Sequence, residues 1–263
     1  MTKACWLGGG CSALFFVLSL MGVKICYSML ASGIVGILLL SGLKGAMAVV
    51  STALFSMVSS FDYAVLPMFI LMATIITESG MGTSLYASCR TWLGHLPGGL
   101  CIATNIACAV FAAVTAFPWA SIMAVGAIAL PEMARYKYDK KMSLGAIAAG
   151  SELGDLIPPS SMFITYGMMT GTSIGTLLIS GIIPGLLMAG LYCIVIFGWC
   201  KLKPGAGPRG PQSTMEEKLL AFKDVWALLV VIVFVMGGIL IGICTPTEAG
   251  AMGAVLAFLI ACF

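Results

Sequence analysis

Charge is what this sequence has least of. Only 9% of its 263 residues are Asp, Glu, Lys or Arg, 13 basic against 10 acidic, whereas soluble domains carry about a quarter. Such scarcity excludes an ordinary soluble fold, and a net charge of +3 is no argument for a nucleic-acid partner. Histidine is nearly missing too. His95 stands alone, and the ten cysteines form no CxxC pair and no Cys/His cluster, so no metal-site spacing is present and no cofactor is assigned. Cys101, Cys108, Cys193 and Cys262 lie inside apolar runs, where cysteine behaves as a small hydrophobe. An intramembrane enzyme is disfavoured by three further absences: a GxSG-type nucleophile motif, a histidine within a span, and paired aspartates at helical spacing.

Apolar residues are what the chain does have. They make up 60% of it, with a mean hydropathy of +1.10, and several runs reach the length of about 20 residues needed to cross about 30 Å of hydrocarbon. The expected class is an all-α polytopic membrane protein, with the lipid bilayer as its solvent. Lys3 before an apolar run suggests a signal peptide, but no convincing cleavage site follows, and a retained first helix is the better reading.

One stretch, Gly145 to Gly185, departs from a simple span. It is apolar enough to enter a bilayer, yet its middle holds Glu152, Gly154, Asp155 and the pair Pro158-Pro159. Proline donates no backbone hydrogen bond and disfavours helix in the residue before it, so carbonyls of the preceding turn lose their partners. In hydrocarbon each such group costs several kcal/mol unless protein, water or an ion replaces the partner. A broken helix lining a cavity is therefore expected. Its two half-helix ends would face an anionic group and a cation at the bilayer midplane. The plainer alternative is a short polar loop between two ordinary helices.

In chain order, Ala4 to Met21 and Ile25 to Leu43 are two spans joined by Gly22-Val23-Lys24, and Lys44 to Ser60 is an interfacial or dipping helix. Phe61-Asp62-Tyr63 introduces a span from Ala64 to Thr77, and Glu78 to Pro97 is polar, with Arg90, Trp92 and His95 suiting a membrane surface. Gly98 to Val114 and Trp119 to Leu130 are each short for a span and flank Thr115-Ala116-Phe117-Pro118. They are expected to form a re-entrant hairpin, with one kinked span as the alternative. Basic residues cluster at Arg135 to Lys141 and again from Lys201 to Lys223, which places both groups on the cytoplasmic side. Trp226 to Cys244 then leaves and Ala249 to Phe263 starts back. Glycines at 167, 171, 175, 181 and 185 are expected to let helices pack closely.

Five motifs in order resemble a known family. HLPGGL (His95 to Leu100), ALPEM (Ala129 to Met133), LGDLIPPS (Leu153 to Ser160), TGTSIGTLLISGIIPGLL from Thr170 and TPTEAGAMGAV from Thr245 are similar to the large, DctM-like membrane subunit of the tripartite ATP-independent periplasmic (TRAP) transporters. The resemblance implies an inverted-repeat, elevator-type secondary transporter in the bacterial inner membrane, driven by a sodium gradient. A periplasmic solute-binding protein would deliver an organic acid such as a dicarboxylate, and a small four-helix membrane subunit would complete the scaffold. The implied organisation is N-terminal scaffold helices at 1–90 and a transport-domain half at 91–200. That half holds the hairpin (about 96–133), the broken helix (about 142–169) and a following helix (174–200). A cytoplasmic linker covers 201–224, and 225–263 begins a second repeat.

The same resemblance implies a site shared by the hairpin tip, Thr115, Ala116, Phe117, Pro118 and Ser121, and the broken helix, Ser151, Glu152, Gly154, Asp155, Pro158, Pro159 and Ser160, with sodium at Thr115, Gly154 and Asp155. The sequence departs from the family where a Ser/Gly-rich tip gives way to Thr115-Ala116-Phe117-Pro118, and where Glu152 and Asp155 add carboxylates. These carboxylates either contribute to sodium or proton coupling or merely face water or basic partners. The family's second hairpin and second broken helix have no counterpart here, so the chain is expected to hold about half of a site. It would be a fragment, a split subunit partnered by a separate chain with the missing repeat, or a non-transporting scaffold remnant.

Overall fold

In the computed structural model, which describes residues 2–59, 64–203, 205–210, 213–223 and 225–262, the described residues are helices and short connections with no strand. The Phe61-Asp62-Tyr63 lead-in to the third helix lies outside them. The chain divides into two units, Met1–Phe61 and Asp62–Phe263.

The first unit is a helical hairpin of α1 (Thr2–Leu20) and α2 (Ile25–Ser59), turned at Gly22 with φ 84°. Gly36 brings the two together, since a side chain there would touch Cys11 Sγ at 3.0 Å. The backbone leaves helical geometry at Gly42 (φ 68°, ψ 180°). That kink falls beside Lys44, where the apolar run gives way to Lys, Ser and Thr.

The second unit is built around one helix. Its elements are α3 (Val65–Glu78), α4 (Met81–Leu93), α5 (Gly99–Thr115), α6 (Pro118–Arg135), α7 (Lys140–Glu152), α8 (Ser161–Thr170), α9 (Ile174–Leu202), α10 (Met215–Lys223), α11 (Trp226–Ile241) and α12 (Pro246–Cys262). All but three residues of α5 are buried. Its run of Ala, Cys and Thr, with Phe111 as the one large ring, is small enough to be enclosed by neighbours on every side. Gly82 of α4 meets the Phe111 ring at 3.1 Å and Gly150 of α7 meets the Asn105 backbone at 3.1 Å, both measured from an added Cβ. Neither approach leaves room for a side chain.

Among the described residues, two stretches, Ile25–Ala53 and Ile174–Leu202, are long and apolar enough to cross a membrane unaided. α9 extends about 43 Å at 1.5 Å per residue, well beyond the hydrocarbon core, whereas α5 extends about 26 Å and falls short of it. α3 and α4 meet at a bend of 65°, and Gly80 at φ 78° makes the corner. Around the outer ends of α5 and α6 the linker forms a strap. Gly98 N–H donates to Gly207 O (3.0 Å), Gly210 N–H to Gly94 O (2.9 Å), and Asp139 N–H to Ala206 O (3.0 Å). Tyr138 Oη donates to Pro208 O at 2.7 Å. Beyond the strap, α10 docks on α4, with Trp92 Nε1 donating to Lys218 O at 3.2 Å.

Candidate functional site

α5 ends at Thr115 and α6 starts at Pro118, so the antiparallel pair turns in two residues. Ala116 makes the turn with φ 60° and ψ 2°, a left-handed geometry that costs an alanine about 1 kcal/mol or more because of its Cβ. Phe117 is extended (φ −132°, ψ 128°), as a residue before proline prefers. Pro118 occupies the first turn of α6, where its missing N–H is no loss. Thr115 is fully buried and its hydroxyl donates to Phe111 O at 3.1 Å, within its own helix. Ser121, one turn into α6, is also fully buried, and its hydroxyl has no hydrogen-bond partner among the described residues.

The second half of the site is a helix that stops and restarts. α7 ends at Glu152, a single 3-10 turn covers Leu153–Asp155, and α8 begins only at Ser161. Pro158 and Pro159 are buried in the gap. Ser160 caps the restart: its hydroxyl donates to Asp155 O at 2.7 Å and accepts from Phe163 N–H at 3.3 Å. Leu153 O takes N–H bonds from Leu156 (3.1 Å) and Ile157 (2.7 Å). The carbonyls of Leu156, Ile157, Pro158 and Pro159 accept no N–H or O–H from the described residues. Gly181 and Gly185 of α9 seat this segment: an added Cβ would lie 2.5 Å from Leu156 O and 2.8 Å from the Ile157 side chain, respectively.

Hairpin tip and broken helix touch. Ser161 N–H donates across to Ala116 O at 3.2 Å, and Gly154 packs on the tip so closely that an added Cβ would sit 3.2 Å from Pro118 N. Ser151 is fully buried against α5, with its hydroxyl 3.7 Å from Cys108 Sγ. Glu152 is exposed and Asp155 half-buried. Neither lies within ion-pair distance of a Lys or Arg among the described residues, where the pair found is Arg90 with Glu132. On the α3 side, Phe117 and Trp119 border a cavity of about 320 Å³ with Thr77 and Glu78.

Chemically this is an oxygen-lined junction of helix ends. No group of three or more His, Cys, Asp or Glu comes together among the described residues, so a cation here would rest on main-chain carbonyls, hydroxyls and one carboxylate, a donor set suited to hard ions. Of the expected sodium set of Thr115, Gly154 and Asp155, the Thr115 hydroxyl donates within its own helix, and the carbonyls without a donor among the described residues, Leu156 to Pro159, follow directly after Asp155. Gly181, expected to serve helix-to-helix packing, takes the Phe163 ring of α8 and also admits Leu156 O, while Gly185 takes the Ile157 side chain and the main chain beside it.

The sequence model of the tripartite ATP-independent periplasmic transporter DctM component matches residues 12–263. The chain belongs to the DctM family. A relative from Rhodobacter capsulatus, the C4-dicarboxylate TRAP transporter large permease protein DctM, is 34% identical over 229 residues, covering 81% of this chain and 51% of its own length. The ectoine TRAP transporter large permease protein TeaC of Halomonas elongata is 33% identical over 246 residues, covering 92% and 56%. The isethionate TRAP transporter permease protein DctMQ of Oleidesulfovibrio alaskensis is 35% identical over 210 residues, covering 80% and 33%. The chain thus spans about half the length of the DctM relative from Rhodobacter capsulatus. DctM-family membership accounts for the five ordered motifs, two of which, LGDLIPPS and TGTSIGTLLISGIIPGLL, meet at the break.

Proposed function

We propose that this chain forms one half of the solute pathway in a multi-pass permease of the bacterial inner membrane, which imports an organic acid by secondary transport. A periplasmic binding protein delivers the solute, a small membrane subunit braces the scaffold, and a sodium gradient drives import. The observation that carries this reading is the bond from Ser161 N–H to Ala116 O. It joins the hairpin tip to the restart of the broken helix, beside four carbonyls that only an ion, water or a further protein surface would satisfy. The N-terminus of α8, where the Ser161 and Phe163 N–H groups are already taken, offers the Met162 N–H and the positive dipole end to a carboxylate, and the free carbonyls offer the opposite polarity to a cation. The relatives' solutes, C4-dicarboxylates, ectoine and isethionate, all carry an acid group, which suits the positive end.

The proposed motion is of elevator type. The hairpin α5–α6, the broken helix α7–α8 and α9 move together as the transport half, and the second inverted repeat completes the site. Asp155, half-buried and without a basic partner among the described residues, is the proposed coupling carboxylate. The test is solute uptake into proteoliposomes holding the intact permease, its small subunit and its binding protein, with sodium and pH varied. Asp155→Asn is expected to flatten the sodium or pH dependence. Uptake by that variant with both dependences unchanged removes Asp155 from coupling, and absence of any gradient-driven uptake by the wild-type assembly removes the transport reading.

A further inference from the structure

A groove of about 490 Å³ runs between α7 and α9, away from the hairpin tip. Met142, Ala146 and Ala149 line one wall and Tyr192, Ile196 and Trp199 the other, so its body is apolar. Its outer end is charged. Lys141 and Asp139 border it, and Lys203 Nζ stands 4.8 Å from the centre of the Trp199 ring. The Asp139 carboxylate accepts from Lys141 N–H at 3.3 Å as the cap of α7, and Lys140 and Lys201 lie exposed nearby in sequence. Cations therefore outnumber the single carboxylate. Its inner end, about 12 Å deeper along α7, meets the fully buried Asn105, whose amide nitrogen donates to Ala189 O at 3.0 Å while its oxygen has no partner among the described residues.

An apolar channel about 12 Å deep with a basic mouth fits the upper part of an acyl chain below a negative head. The channel is bordered by α9, which is long and apolar enough to cross a membrane, and exposed Leu144, Ile194 and Val195 flank it. Its opening thus faces hydrocarbon, where acyl chains are the neighbours at hand. Trp199, beside Lys203 at the mouth, is a ring type that favours the headgroup level, and basic mouths between membrane helices on the cytoplasmic side attract anionic headgroups. We propose that one anionic glycerophospholipid of the cytoplasmic leaflet occupies this groove, one acyl chain between α7 and α9 and its phosphate at Lys141 and Lys203. The lipid would hold α7 against α9 beside the strap, whose Ala206 O accepts from the N–H of groove-bordering Asp139, without touching the solute site.

The test is native mass spectrometry of the intact permease assembly, relipidated with equal amounts of phosphatidylglycerol and phosphatidylethanolamine. Phosphatidylglycerol is expected to be retained in preference, with roughly fivefold weaker retention for each of Lys141→Gln and Lys203→Gln. Gly145→Trp, at a groove-lining position whose Cβ would meet nothing within 4 Å, is expected to displace the lipid. Gly190→Trp, equally open but off the groove, is expected to leave it bound. Equal retention of the two lipids, unchanged retention in Gly145→Trp or in the double lysine variant, or the same loss in Gly190→Trp would each overturn the assignment.

Discussion

The seating of the broken helix on α9 makes a sharp test at Gly181. Gly181→Ala adds one carbon that would stand 2.5 Å from Leu156 O and also overlap the Phe163 ring, whereas ordinary contacts begin near 3.4 Å. The main chain at Leu156 must therefore retreat by about 0.9 Å, and it is held from behind by the Leu153 O bonds to Leu156 and Ile157. Overpacking of this kind costs about 1–3 kcal/mol, and a carbonyl cannot rotate aside as a side chain can, which argues for the upper half of that range. Alanine offsets up to about 1 kcal/mol through its better helix propensity, leaving a net loss of about 1–2 kcal/mol. For a chain of this size each kcal/mol moves the midpoint by roughly 2–4 °C. Gly190→Ala is the internal control, because the same atom at that position of the same helix meets nothing within 4 Å. Thermal unfolding of the detergent-purified protein is expected to rank Gly181→Ala below wild type and Gly190→Ala at or above it. A Gly181→Ala midpoint equal to that of Gly190→Ala would show that Leu156 does not rest on Gly181.

Two further substitutions probe the ends of the hairpin. Ala116→Val places a β-branched residue at φ 60° and is expected to lose at least about 1–2 kcal/mol; thermal unfolding measures it, and a wild-type midpoint would contradict the left-handed turn. Tyr138→Phe removes the hydroxyl that donates to Pro208 O at 2.7 Å and accepts from Leu100 N–H at 3.3 Å, at a cost of about 1–2 kcal/mol. Burial pushes the Tyr138 hydroxyl up to about 12, so the folded state holds the proton more tightly than the unfolded chain. Its contribution is complete below about pH 10 and is lost as pH rises through about 12. The gap between the wild-type and Tyr138→Phe midpoints should stay constant from pH 6 to about 9; a gap that closes within that window would contradict the buried, neutral hydroxyl.

How much of this was legible in the sequence depends on whether a feature is written locally. The tip at Thr115 to Pro118 and the gap around Pro158-Pro159 both follow from what proline does to its own nitrogen and to the residue before it, and the helix ends fall there. Pro131 shows the limit of that rule. The apolar arm reads as Trp119 to Leu130, ending just before it, yet α6 runs through Pro131 to Arg135. The Glu132 carboxylate just beyond is paired with Arg90 of α4, a contact between helices that local reading does not see. α10 did carry a local signal. Thr214 and Glu217 form a reciprocal capping box, with Thr214 N–H to Glu217 Oε2 at 2.9 Å and Glu217 N–H to Thr214 Oγ1 at 3.3 Å. The Pro and Gly residues upstream obscured it. Thr245 and Glu248 repeat the device at the start of α12, where the same four residues read equally well as a bare turn.

The strap and the loop seat lie at the other extreme. Each is made by main-chain atoms of segments far apart in sequence, Gly207 with Gly98 and Leu156 with Gly181, and a main-chain partner leaves no residue-type signature on the other side. Glycine is the one trace such contacts leave, because only a missing Cβ admits a carbonyl so closely. The trace is ambiguous, since a glycine every fourth residue in an apolar helix equally serves a neighbouring helix. Here both apply: the Phe163 ring of α8 and the Leu156 carbonyl approach Gly181 together. Gly181 and Gly185 face Leu156 and Ile157, so α9 serves as the wall that fixes where the free oxygens of the break can point. Geometry at the candidate site is thus set from α9 as much as from the prolines that open it.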